Sequence, residues 1–167
     1  MEFVEVENMA QKIKINELNI IEYAEFYGDR AIPITFSDTD IQNALDTHNS
    51  ERRSFQGNLE ELLNEWNMNS DINAYCEKQK NYHCLRIATL IKSGTWKEPI
   101  LVYKDRKTIL DGQHRVRAAS FLNETEINAI IVECVLSDNE KEKLWNSISE
   151  NGNVVKALQL LNIPYST

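Results

Sequence analysis

A corner between a strand and a helix, at Asp111-Gly112, constrains the fold of this chain more than any other feature. Residues 99–103 are apolar, β-branched or aromatic, and after a short polar turn residues 107–110 are again largely apolar, which predicts two strands. From Gln113 to Leu122 the apolar residues recur at helical spacing. Residues 127–132 predict another buried strand. The order strand, turn, strand, corner, helix and strand predicts an α/β fold.

The residues at this corner favour the binding of an anion. The first backbone N–H groups of a helix have no partner within the helix, and the helix dipole places partial positive charge there. Gly112 lacks a Cβ, so a bound group can approach the backbone closely. Gln113, His114 and Arg115 fall in the first turn, which predicts an anion pocket with phosphate as its guest. The alternative is a helix start at which Asp111 serves only as a cap.

The motif Asp111-Gly112-Gln113-His114-Arg115 resembles the signature of the ParB/sulfiredoxin superfamily. Val116 and Ala118-Ala119 follow it, and Pro99-Ile100-Leu101-Val102 precedes it, as that signature requires. The resemblance covers residues 85 to about 161. It implies a small mixed sheet flanked by helices, in which the G-x-x-R loop from Gly112 to Arg115 holds nucleotide phosphates.

The resemblance also implies a cofactor and roles for particular side chains. The ligand would be an NTP, either ATP or CTP, accompanied by Mg²⁺. His114 and Arg115 would neutralise charge during phosphate transfer, and Asp111 would orient His114 or hold the metal. Family members place an arginine from an N-terminal loop at the nucleotide, and Arg30 is the candidate here, although a simple surface turn is the alternative. Glu17, Glu22 and Glu25 are all available as a base, and no motif selects among them.

Departures from the family pattern narrow the activity. Gln113 stands where sulfiredoxin has a cysteine, which argues against reduction of sulfinic acids. Val154 stands where partition proteins carry an arginine, which argues against full partition function. The Asp-Gly-x-His-Arg form is closer to the nuclease/ATPase and kinase branches. The favoured function is therefore that of an NTP phosphohydrolase that also acts on DNA. A non-catalytic inhibitor protein of a mobile element and an amino-acid kinase are the alternatives.

Charge and composition bear on the partners. The formal net charge is −8, so the chain lacks the overall basic character of a non-specific DNA binder. Contact with DNA would need a local cluster, for which the candidates are Lys104, Arg106, Lys107, Arg115 and Arg117. The sequence contains neither a run of 18 apolar residues nor a signal peptide, which predicts a cytoplasmic protein without a membrane partner.

Three cysteines without metal-binding spacing predict reduced thiols in a cytoplasm. Cys76, His83 and Cys84 offer three ligands to zinc but no fourth, so no metal site is predicted there. The composition otherwise predicts an ordinary globular protein.

The chain is predicted to be a single domain, 1–167, with a helical insertion at about 37–81. Ser37 and Asp40 form a capping box that begins a helix ending near Asp46, and residues 47–57 are predicted to be a polar connection. Further helices are predicted at 58–66, at 71–78, at 83–93, from a capping box at Ser137 to about 149, and from 154 to 161. The insertion would serve as a lid or as a surface for a host protein.

Overall fold

The computed structural model describes residues 10–20, 23–27, 30–57 and 72–167. This part of the chain forms seven strands, β1 to β7: Gln11–Lys14, Tyr23–Tyr27, Arg30–Ile34, Ile100–Tyr103, Ile109–Asp111, Glu126–Val132 and Tyr165–Ser166. It also forms five α-helices, α1 to α5: Asp38–Gly57, Ile72–Ser93, Gln113–Phe121, Asp138–Asn151 and Val154–Leu160. The chain divides into two compact units, of which the first takes the chain up to Ile20 with Thr95–Thr167, and the second takes Ile21–Gly94.

The first unit contains a mixed sheet in the order β1, β6, β4, β5, with β7 also paired to β6. Strands β4 and β6 are parallel, whereas the other pairs are antiparallel. The predicted fold class, an α/β protein with a small mixed sheet and helices, is confirmed.

Alternate residues of the strands supply two hydrophobic cores in this unit, because successive side chains of a strand point to opposite faces. Burial of each large aliphatic side chain contributes about 1.5–3 kcal/mol. One core joins sheet residues to α4 and α5: Leu101, Leu110, Ile130, Val132, Leu144 and Leu158. The other joins sheet residues to α3: Ile100, Val102, Ile109, Ile131, Val116 and Ala119.

The predicted hairpin and helix around the corner are both present. β4 and β5 pair in antiparallel fashion, and the turn between them is closed by Asp105, whose carboxylate accepts hydrogen bonds from the Lys107 and Thr108 amides, each at 2.9 Å. Hydrogen bonds from Thr108 and Lys107 hold the pKa of Asp105 below its usual value. α3 ends at Phe121, and Asn123 takes a left-handed conformation with φ of 62°, as expected of a stop residue.

The second unit contains an antiparallel hairpin, β2 and β3, and two packed helices, α1 and α2. The predicted capping box is confirmed, since the Ser37 amide donates to Asp40 Oδ2 at 2.8 Å and the Asp40 amide donates to Ser37 Oγ at 3.3 Å. The ammonium group of Lys80 lies 3.7 Å from Asp40 Oδ1, which joins α2 to the first turn of α1.

Several predicted boundaries in this part of the chain are wrong. Residues 47–57, predicted to be a connection, continue α1 through Gly57. The helices predicted at 71–78 and 83–93 are one helix, α2. Both errors have the same cause, because polar residues alone do not end a helix and these stretches lack an internal glycine or proline. Gly94 does end α2, with φ of 76°.

The remaining predictions of strands, helices and domain organisation have different outcomes. β7 was not predicted, since two residues carry too little pattern to indicate a strand. The helices at 137–149 and 154–161 are confirmed as α4 and α5. The predicted helix at 58–66 lies outside the described residues. The single domain with an insertion at about 37–81 stays a prediction. Over the described residues, none of the helices is both long enough and apolar enough to cross a membrane.

Candidate functional site

Gly112 forms the corner for two physical reasons. Its φ of 108° lies in the region that side-chain-bearing residues avoid. A Cβ added there would lie 2.5 Å from Cγ2 and 2.8 Å from Cβ of Ile100, a buried residue of β4. The space left by the missing side chain therefore admits Ile100. The close approach of a bound group to the Gly112 backbone stays a prediction.

The first turn of α3 brings together the three residues that follow this corner. Gln113, His114 and Arg115 are all half-buried, so the turn is neither sealed in the core nor fully in solvent. The ladder of helical hydrogen bonds begins with the Val116 amide, which donates to the Gly112 carbonyl at 3.1 Å. The amides that precede Val116 are those that a helix leaves without a partner in its own ladder.

Asp111 ends β5 and pairs with Leu101 of β4. Gly112 occupies the N-cap position of α3. The alternative, in which Asp111 is the cap residue, would place the N-cap one residue earlier. Gly112 has no side-chain oxygen that could accept from the first-turn amides. The local strand geometry thus places Asp111 directly before the turn that carries His114 and Arg115.

Arg115 is anchored to the segment before β4. One terminal nitrogen, Nη1, donates to the Pro99 carbonyl at 3.0 Å, and the other, Nη2, lies 3.2 Å from Glu98 Oε2. The Arg115 side chain is 18% exposed, whereas that of Glu98 is 45% exposed. A guanidinium carries five N–H donors, and these contacts use two of them. The Arg115 guanidinium, which was predicted to bind phosphate, is thus held in place partly by the Glu98 carboxylate.

Glu98 is a residue of this site that the sequence did not reveal. It lies 17 residues before Arg115, too far for a helical or turn pattern to connect the two. The sequence also did not reveal the contact made by Trp145 of α4. Its indole N–H donates to the Leu110 carbonyl at 3.1 Å and so fixes β5 directly before Asp111.

Arg30 begins β3 and pairs with Tyr27, the last residue of β2. It belongs to the second unit, whereas residues 111–115 belong to the first. Its contact with a nucleotide stays a prediction.

The predicted cationic cluster is divided by β4. Arg115 contacts Pro99, directly before that strand, whereas the turn containing Lys104, Arg106 and Lys107 follows its last residue. Four residues of strand span about 13 Å. Arg106 in that turn donates to Gln11 Oε1 at 2.7 Å.

Metal-binding groups were sought among histidine, cysteine, aspartate and glutamate side chains. Within residues 10–20, 23–27, 30–57 and 72–167, no three of them are grouped so that they could hold a metal ion. Cys76, Cys84 and Cys134, which all lie in these ranges, form no disulfide.

Comparisons with known proteins identified no relative of this chain. No protein-family model, curated protein or solved structure matches this chain. Membership of the ParB/sulfiredoxin superfamily therefore stays a prediction based on the motif at residues 111–115.

Proposed function

We propose that this chain is a ParB/sulfiredoxin-like protein that binds a nucleoside triphosphate at residues 111–115 and hydrolyses it. The observation that carries the proposal is the start of α3, where a glycine in the N-cap position precedes a half-buried turn containing His114 and Arg115. Helix starts of this kind bind phosphate through backbone amides and the positive end of the helix dipole.

Each residue of the corner has a role in this proposal. The amides of Gly112 and Gln113 hold phosphate oxygens, while His114 and Arg115 neutralise the charge that develops as water attacks the terminal phosphorus and the bond to the leaving diphosphate breaks. Asp111, at the end of β5, orients His114 or helps to hold Mg²⁺.

A second candidate is nucleotide binding without turnover, in an interaction protein that a mobile element uses against a host protein. The ion pair between Arg115 and Glu98 favours it, because a neutralised guanidinium stabilises a transition state less than an unpaired one would. Measurement of both binding and phosphate release separates the two candidates.

We also propose a cellular location for the protein and a role on DNA. The protein is cytoplasmic, and it acts on DNA through the cationic turn that contains Lys104 and Lys107. Loss of DNA binding with rising salt concentration would support this role, and the absence of any gel shift at low salt would remove it.

The decisive test is an Arg115→Ala substitution. ATP or CTP with Mg²⁺ is titrated into the protein by calorimetry, and phosphate release is measured in parallel. Loss of a charge-assisted hydrogen bond should weaken binding by about 1.5–3 kcal/mol, or roughly 10- to 150-fold.

Arg117→Ala is the matched control, because residues two apart on a helix do not face the same side. It should change the affinity by less than about threefold. Circular dichroism confirms that each variant is folded. Equal binding by the wild type and Arg115→Ala would disprove the assignment of the pocket.

A further inference from the structure

Arg115 has two anchors of different kinds. The Pro99 carbonyl belongs to the backbone, and Pro99 is buried directly before β4. The Glu98 carboxylate belongs to a side chain that is 45% exposed and follows a single 3₁₀ turn, Thr95–Lys97. The backbone anchor is fixed by the sheet, whereas the carboxylate can rotate into solvent.

We infer that Glu98 is the counter-ion of Arg115 and that a phosphate group of the ligand replaces it on binding. This inference rests on the proposed function, because it concerns the same corner. The Arg115–Pro99 hydrogen bond keeps the guanidinium in place during the exchange. Glu98 is thus a positioning residue that sets the affinity of the site, and it does not take part in the reaction.

The energies permit such an exchange. A partly exposed ion pair contributes about 0–1 kcal/mol, so its loss is a small cost beside the charge-assisted hydrogen bonds that a phosphate would form. If the carboxylate stayed in place, its negative charge would lie beside the phosphate and oppose binding. Glu98 therefore lowers the affinity of the site for phosphate ligands, and it should lower the affinity for a triphosphate more than that for a monophosphate, because the triphosphate carries more negative charge.

The test compares the wild type with Glu98→Gln, which keeps a side-chain oxygen that can accept from Arg115 but removes the negative charge. ATP and AMP with Mg²⁺ are titrated into each protein. Glu98→Gln should bind ATP about fivefold more tightly, the change that corresponds to about 1 kcal/mol. It should also widen the ratio of ATP to AMP affinity, because ATP carries more negative charge than AMP. Glu98→Ala should tighten ATP binding in the same direction.

Two controls define the mechanism. Glu142→Gln, an exposed glutamate of α4, should change the affinity by less than twofold. In an Arg115→Ala background, the gain from Glu98→Gln should vanish, which a merely structural role or general charge repulsion would not produce.

The outcomes separate the two proposals. If the wild type binds ATP but Glu98→Gln binds equally or more weakly, the counter-ion role is overturned and the proposed function stands. If the gain persists without Arg115, the counter-ion role is also overturned. If neither the wild type nor Glu98→Gln binds any nucleotide, the proposed function fails and the role of Glu98 fails with it.

Discussion

The starts of α3 and α4 solve the same physical problem in different ways. At α4, the Ser137 amide donates to Glu140 Oε1 at 2.9 Å and the Glu140 amide donates to Ser137 Oγ at 3.2 Å. The Ser137 amide, and after it the Ser137 hydroxyl, hydrogen-bond to the Glu140 carboxylate and hold its pKa below the usual value. At α3, the N-cap residue is Gly112, which has no side chain to offer. The start of α4 is closed by its own side chains, whereas the N-cap residue of α3 supplies no side-chain acceptor to the first-turn amides.

The largest effect is expected from Gly112→Ala. The left-handed φ would cost about 1–2 kcal/mol, and the contact of the new Cβ with Ile100 would cost about 1–3 kcal/mol more through overpacking. The free energy of unfolding in urea should therefore fall by about 2–5 kcal/mol.

Gly152→Ala, at the C-cap of α4, is the matched control. Its φ of 65° is also left-handed, but an added Cβ would have 4 Å of clearance from the described residues beyond its chain neighbours. The expected cost is about 1 kcal/mol. Gly112→Ala should cost less in an Ile100→Ala background than in the wild type, because that substitution removes the Cγ2 atom nearest to the added Cβ. Equal losses of unfolding free energy in Gly112→Ala and Gly152→Ala would show that Ile100 does not exclude a side chain at residue 112.

Two histidines show a second contrast, this time between a half-buried and a buried environment. His114 is half-buried in the first turn of α3, whereas His83 of α2 is 4% exposed, with its ring 4.4 Å from that of Tyr23 and 6.2 Å from that of Phe36. Burial, aided by the charge of Arg86, lowers the pKa of His83 to about 4.

The sign of the pH dependence follows from this shift. Between about pH 4 and pH 6.5 the unfolded chain binds more protons at residue 83 than the folded protein does, so stability is lost as the pH falls through this window. Lowering the pH from 7 to 4.5 should cost the wild type about 2 kcal/mol that His83→Phe does not lose. Denaturation at each pH measures this difference. A His83→Phe slope equal to that of the wild type would show that residue 83 does not titrate with a lowered pKa.

The smallest of these effects concerns the closed helix start. Ser137→Ala removes the acceptor for the Glu140 amide and should lower the free energy of unfolding by about 1 kcal/mol. Because residues 111–115, the proposed nucleotide ligands, belong to β5 and α3 and not to α4, the affinity for ATP should stay within about twofold of the wild type. A large loss of binding would mean that the two helix starts are not independent.

Local signals made much of this fold predictable from the sequence. The β4–β5 turn, the corner at Gly112 and the capping boxes at Ser37 and Ser137 each depend on residues within a few positions of one another. What could not be predicted depends on partners distant in sequence. The packing of Ile100 against Gly112, the ion pair of Glu98 with Arg115 and the pairing of β7 with β6 are of this kind.

The helix lengths illustrate the same limit. The polar residues 47–57 gave no sign that α1 continues through them, and the stretch between 78 and 83 gave no sign that α2 is unbroken. A helix is extended by the neighbours it packs on as much as by its own residues, and α1 and α2 pack on each other. The pattern of one segment does not contain that information.

The pairing of β1 with β6 has a consequence for synthesis on the ribosome. Lys12 and its hydrogen-bond partner Asn128 are 116 residues apart, so at about 5–20 residues per second the first strand waits roughly 6–23 s for its neighbour to be translated. During that interval Ile21–Gly94 has already emerged and can fold, while β1 remains an unpaired edge. Chaperones that shield nascent strands would therefore meet this protein at its N-terminal end.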